Sequence, residues 1–199
     1  MTAIHPIETA SYRILAERVD LSVWPPGARD VVARIIHATA DVAFAESVRI
    51  GDSAVAAALD ALGRGAPVVV DSAMVAAGAP GVATTCLLPE VPVAPARSTR
   101  SAAAAALAAE RHPRGAVWVV GNAPTALFEL LRLHDHGLLE PAAVIGLPVG
   151  FVGAAEAKAR LWAGPLAPVS MTNTGERGGS PAAAAALNAL HRLREGRPC

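Results

Sequence analysis

The sequence predicts an α/β fold: a three-layer sandwich with a mostly parallel sheet of about five strands and a helical N-terminal segment. Three observations predict it. From residue 67 onward, short continuous apolar runs alternate with helical stretches, as in a parallel sheet covered on both faces. The first 62 residues carry helical periodicity instead. Finally, three glycine-rich turns each follow an apolar run and precede a helix: Gly121-Asn122-Ala123-Pro124-Thr125, Gly146-Leu147-Pro148-Val149-Gly150-Phe151-Val152-Gly153 and Gly175-Glu176-Arg177-Gly178-Gly179-Ser180. In an open parallel sheet such loops gather at the carboxyl edge, where ligands bind. Glycine lets the backbone approach a ligand closely. Three such loops point to one large, flat or polyanionic ligand.

The elements follow in order. Residues 6–19 place Ile7, Ile14, Leu15 and Val19 on a helical stripe. Pro25-Pro26 breaks the chain and restarts it, since proline suits a first helical turn. Residues 27–40 then put Val31, Val32, Ile35 and Ile36 on one side. Gly51-Asp52-Ser53 opens a third helix through residues 54–62, which Gly63 and Gly65 close. The first predicted strand is 67–70, ending at Asp71, and the second 82–88. Residues 98–111 read as alanine-rich helix, 116–120 as strand, 125–133 as helix and 142–147 as strand. Helix 154–162, strand 168–171 and helix 180–193 complete the chain. The stretch 89–95 holds three prolines and reads as a loop. The runs Ala102–Ala106 and Ala182–Ala186 read as helix interiors that need small side chains for close packing.

Composition narrows the function. The 199 residues are 53% hydrophobic, enough for one sizeable core, and 1–199 reads as a single domain. Lysine plus arginine, 17, equals aspartate plus glutamate, 17. That balance argues against a nucleic-acid partner, which usually requires a basic excess. Residues 1–6 lack the basic and apolar regions of a leader. No stretch of about 18 unbroken apolar residues offers a membrane span. Cys86 and Cys199 are too few for a disulfide framework and not spaced as zinc ligands. The expectation is a cytoplasmic protein without a metal site. Lys158 is the only lysine, so arginine supplies nearly all positive charge. A GC-rich genome explains this; carboxylate recognition by guanidinium forks is the functional alternative.

Asp30, Arg34, His37 and Asp41 recur at helical spacing and share one face. They form either a solvated stripe or part of a site. His37 sits near the end of its helix, where terminal carbonyls favour the imidazolium, so it is expected to hold its proton firmly and to suit a general acid. Ser98-Thr99-Arg100-Ser101 opens a helix, as an anion site or as a simple cap. Ser11 lies on the first helix. His134 and His136, two apart, cannot share a helical face as a metal pair. The chain has no Walker motif, no GxGxxG after the first strand and no nucleophile elbow, which disfavours common nucleotide cofactors and serine hydrolysis.

Together these motifs resemble the precorrin-8X methylmutase family over nearly the whole length. The resemblance runs through His5-Pro6-Ile7-Glu8, Ser11-Tyr12-Arg13, Arg34-Ile35-Ile36-His37-Ala38-Thr39-Ala40-Asp41 and Asp71-Ser72-Ala73-Met74-Val75-Ala76-Ala77-Gly78. It continues in Thr99-Arg100-Ser101-Ala102, residues 121–128, residues 148–154 and Gly178-Gly179-Ser180; residues 80–98 are shorter than the family's usual stretch. The resemblance implies a flavodoxin-like fold and a methyl shift from C11 to C12 of a corrin-type macrocycle, yielding hydrogenobyrinic acid in cobalamin biosynthesis without a cofactor. It also implies a homodimer with substrate near the subunit interface. It makes His37 the proton donor, brings Ser11 and Arg34 to the macrocycle and turns Arg100 to a carboxylate. Asn122, Gly150, Gly179 and Ser180, on the glycine loops, complete the expected substrate-binding set. A cobalt-precorrin-8 methylmutase is the nearest alternative. A non-catalytic corrinoid carrier and a flavodoxin-like nucleotide or flavin binder are the rivals from other classes.

Overall fold

The structure, a computed structural model, describes residues 5–197. Met1–Ile4, which enter the leader reading, and Cys199 lie outside the described residues. Helix α1 (Pro6–Arg18) starts at His5, whose Nδ1 accepts the N–H of Ile7, with Pro6 in the first turn, where its missing N–H costs nothing. Helix α2 (Ala28–Thr39) starts at Gly27 and buries Val31, Val32, Ile35 and Ile36, the stripe legible in the sequence. The Asp30 carboxylate closes its first turn by accepting the Gly27 N–H.

The remaining elements are α3 (Phe44–Ser47), β1 (Val48–Ile50), α4 (Ala54–Gly63), β2 (Val68–Val70), α5 (Ala73–Gly78), α6 (Arg100–Arg111), β3 (Val117–Val120), α7 (Pro124–Asp135), β4 (Ala143–Gly146), α8 (Ala154–Ala163), β5 (Ser170–Asn173) and α9 (Ser180–Arg194). The sheet runs β1-β5-β4-β3-β2, parallel from β2 to β5. Its edge strand β1 is antiparallel to β5, with Val48 opposite Asn173 and Ile50 opposite Met171. Flavodoxin itself has the order 2-1-3-4-5; here the parallel strands step across the sheet without reversal.

Alternation along the strands splits the core in two. Val68, Val70, Val117, Val119, Ile145 and Met171 face α4 and α9, with α2 packed outside α9 and α1 outside α2. Val69, Trp118, Val120 and Val144 face α6, α7 and α8. The alanine runs sit inside α6 and α9 as expected, and Ala182–Ala186 are all buried.

Three expectations need correction. Residues 82–88 do not form a strand. Pro80 and Pro89 bend the chain on either side, and only Thr85 reaches the sheet. Its N–H donates to the Val68 carbonyl (2.8 Å), and its carbonyl accepts the Val70 N–H (2.9 Å). The first 62 residues are not all helical, because Val48–Ile50 supplies β1 as the fifth strand. The last strand begins at Ser170 rather than 168, since Ala167–Val169 forms a 3₁₀ turn. No helix among the described residues is long and apolar enough to cross a membrane.

Candidate active site

Helices α1 and α2 lie side by side and meet through polar residues one turn apart. Glu8 meets Arg34 at 2.7 Å, and one turn further Ser11 Oγ meets His37 Nδ1 at 2.8 Å. Between them Tyr12 receives a hydrogen bond from Arg34 (3.2 Å) and stacks its ring on that of His37. The same Glu8 oxygen accepts from Arg192 of α9 (3.1 Å), so one carboxylate ties three helices together. Burial pushes the Glu8 carboxyl up, but the Arg34 hydrogen bond and the charges of Arg192 and Arg34 outweigh it and hold it below its usual value. Glu8, Tyr12 and Arg192 were not singled out from the sequence as site residues. Glu8 and Tyr12 share a helical face with Ser11, and that spacing is the signal that could have found them.

The expectation that His37 holds its proton firmly is overturned. Burial under α1 is the largest influence and lowers the imidazole pKa from its ordinary 6.5. The Arg34 charge lowers it further, against Glu8, which raises it. The helix-end carbonyls favour the cation, but a half-buried ring beside two arginines loses more hydration than they return. Beside the ring lies a groove of about 120 Å³ lined by Ser11, Ile14, Arg18, Ile36, His37, Ala40 and Val42. With Nδ1 bonded to Ser11, Nε2 is the nitrogen available to a ligand.

The glycine loops leave the carboxyl ends of β3, β4 and β5 and lead into α7, α8 and α9, as expected. Two of them cross. Gly150 donates its N–H to the Glu176 carbonyl (3.1 Å), and Gly179 donates to the Leu147 carbonyl (2.8 Å). Gly178 allows the crossing: a Cβ there would lie 2.3 Å from the Leu147 carbonyl oxygen. Ser180 opens α9 with its hydroxyl 3.3 Å from that of Ser72. The third loop is held differently. Asp71, at the end of β2, accepts the N–H groups of Gly121, Asn122 and Ala123 at 2.7–3.0 Å. Burial is the largest influence on the Asp71 carboxyl and raises its pKa against those bonds. The Asn122 side chain remains exposed. Arg177 reaches Asp41 (3.4 Å), joining the loop before α9 to the end of the His37 helix.

Arg100 lies elsewhere, on α6 across the sheet. Its Nε donates to the Val91 carbonyl (2.6 Å) and its Nη2 to the Leu88 carbonyl (3.2 Å). At the start of this helix Thr99 forms the cap: its Oγ1 accepts the Ala102 N–H and donates to Thr125. Thus Ser11, Arg34 and His37 come together, Gly150, Gly179 and Ser180 gather on the crossed loops, and Asn122 and Arg100 stand apart at the same sheet edge. No three His, Cys, Asp or Glu side chains among the described residues are grouped to hold a metal.

Known proteins match this chain over almost its full length. The family model described as Precorrin-8X methylmutase matches residues 6–193. A precorrin-8X methylmutase of Pseudomonas aeruginosa is 39% identical over 195 residues, covering 93% of each chain. A cobalt-precorrin-8 methylmutase of Methanothermobacter thermautotrophicus is 40% identical over 192 residues, covering 94% of this chain and 91% of its own. Among solved structures, the precorrin-8x methyl mutase of Thermus thermophilus superposes with a TM-score of 0.86 at 39% identity, covering 96% of this chain and 98% of that one. The paired motifs on α1 and α2, the crossed glycine loops and these matches lead to one conclusion: the chain belongs to the precorrin-8X methylmutase family.

Proposed function

We propose that this chain, working as one domain over residues 1–199, is a precorrin-8X methylmutase. It moves a methyl group from C11 to C12 of the macrocycle to give hydrogenobyrinic acid. The observation that carries the reading is the Ser11–His37 hydrogen bond of 2.8 Å, which fixes the imidazole with Nε2 left for a ligand. His37 lends a proton from Nε2 to the conjugated ring. The methyl group then migrates with its bonding pair, and a proton lost from the ring restores the imidazolium. Substrate and product are isomers, so no group enters or leaves. The depressed pKa makes the imidazolium a stronger acid, at the cost of a smaller protonated fraction at neutral pH. Arg34 and the Nη1 of Arg100 pair with carboxylates of the ring's rim, and Asn122, Gly150, Gly179 and Ser180 line its bed. Holding the ring in one geometry and keeping water out supplies much of the rate.

The working form is a cytoplasmic homodimer. The groove beside His37, about 120 Å³, falls short of the roughly 300–1,000 Å³ of pockets that enclose a drug-sized ligand, so a macrocycle needs a second wall. Phe151 and Val152 stand 90% and 89% exposed on a glycine loop, apolar surface suited to such a wall. Two-fold dimers are the commonest oligomers. Light scattering across a dilution series tests this; a monomer turning over substrate at full rate defeats the shared pocket.

The decisive assay mixes protein with precorrin-8X and, separately, with its cobalt form, because relatives named for the two rings match at 39% and 40% identity. Conversion of either, followed by absorption, establishes the activity. Binding without conversion would make the protein a carrier. His37→Ala is expected to bind the ring and lose roughly 10²–10⁴-fold in rate, the range for a general acid.

A further inference from the structure

The only lysine of the sequence, Lys158, is buried in α8 with 1% of its surface exposed. Its Nζ donates to Asn173 Oδ1 (3.1 Å) and to the Arg177 carbonyl, acceptors that carry no charge. Removing an ammonium from water costs several kcal/mol, and an apolar side chain of similar volume often serves a core as well or better. Burial pushes the amine down to about 8. The arrangement around Arg177 shows what the cost achieves. Its carbonyl accepts a second donor, Asn173 Nδ2 (2.9 Å), which also donates to the Thr174 carbonyl (3.1 Å). Two carbonyls of the loop before α9 are thereby drawn inward. In a trans peptide the following N–H points the opposite way, so the amides of Gly175 and Gly178 turn outward. The Arg177 side chain leaves the same loop on the side of Asp41 and the His37 helix.

We propose that Lys158, with Asn173, is a positioning residue that sets the backbone of residues 174–179 and so presents the Gly175 and Gly178 amides and Arg177 to a carboxylate of the ligand. The ligand's identity rests on the function proposed above; the effect on the loop does not. Lys158→Met keeps the length of the side chain and removes every donor. Amide hydrogen exchange on this variant is expected to quicken about tenfold or more at Thr174 and Gly179, the loop amides that donate to the Ser47 and Leu147 carbonyls, with β4, β5 and the body of α8 unchanged. In turnover its KM for precorrin-8X is expected to rise about tenfold while kcat changes less than about threefold, the signature of lost binding rather than lost chemistry. Unchanged exchange in the loop overturns the proposal, and so does exchange quickened evenly over α8, β4 and β5, which would make Lys158 a packing residue. If the wild type binds no corrinoid, the proposed function fails while the exchange result still decides the role of Lys158. Should Lys158→Met not fold, the wild type suffices: ¹⁵N-lysine labelling gives a single side-chain signal, expected to shift when hydrogenobyrinic acid saturates the protein. A signal unmoved at saturation overturns the coupling.

Discussion

The rings of Tyr12 and His37 lie face to face, centroids 4.8 Å apart and planes 14° from parallel. Ser11 fixes one nitrogen of the imidazole, while Tyr12 fixes the plane of the other, the nitrogen from which the proposed proton transfer starts. An aromatic face also favours the imidazolium over the neutral ring by about 0.5–2 kcal/mol.

Tyr12→Leu removes the stacking ring and keeps apolar bulk. Its kcat should fall about tenfold, corresponding to about 1.4 kcal/mol of lost transition-state stabilisation, with KM nearly unchanged. Tyr12→Phe, which keeps the ring and loses the Arg34 bond, should fall far less. Steady-state kinetics of the pair separates stacking from hydrogen bonding, and equal losses would show that the hydroxyl, not the ring, matters.

Glu8→Gln should destabilise the fold by about 1.5–3 kcal/mol, the worth of hydrogen bonds to charged groups. Two arginines from different helices share this carboxylate, and a neutral amide no longer offsets their charges. Urea unfolding checks the magnitude. A change below about 0.5 kcal/mol, within the range of ordinary surface substitutions, would remove Glu8 from the set that fixes α1.

The pH dependence follows from the proton-donor role proposed for His37. A general acid acts only while protonated, and its pKa in the fold lies below 6.5, so kcat/KM should decline as pH rises through that lower value. Arg34→Ala should move the decline upward and Glu8→Gln downward, because the first removes a repulsive charge and the second an attractive one. Stability has the matching sign. As pH falls below 6.5 the unfolded chain takes up the proton first, so the His37 contribution is lost as pH falls through the folded pKa. A limb that stays in place in both variants would detach it from His37.

Gly178→Ala and Gly175→Ala should differ sharply. At Gly178 φ is +154°, and a Cβ would lie 2.3 Å and 2.6 Å from two backbone oxygens of the crossing loop. Strain and overpacking together should cost about 3 kcal/mol or more. At Gly175 φ is +77° with open space around it, so the cost should be about 1–2 kcal/mol, for the left-handed backbone alone. Thermal unfolding of the two variants gives the comparison, and equal losses would place the strain outside the crossing.

Much of the central sheet was legible because Val68–Val70, Val117–Val120 and Ala143–Gly146 are unbroken apolar runs between turn signals. The strand β1 was not. It has three residues with Arg49 at its centre, and its pairing depends on β5, far away in sequence. The Ser11–His37 pairing fits residues recognisable one by one, but the direction of the His37 shift was illegible, since it comes from burial beneath another helix. The Glu8–Arg192 contact joins positions 184 apart, which no periodicity reveals. Lys158 resembles any surface lysine of an alanine-rich helix. Only the folded neighbours, Asn173 and the Arg177 carbonyl, give it a different meaning.

The Asp71 carboxylate has one further consequence. It fills three N–H groups at the entrance to α7, the type of place where many α/β proteins seat a phosphate. A free phosphate would have to displace an anion tethered by the chain itself, present at an effective concentration in the millimolar range or above. It would also have to expel a group that surrenders no translational freedom by staying. The protein thus carries an internal competitor at the entrance to α7, and a phosphate gains a foothold there only by outcompeting it.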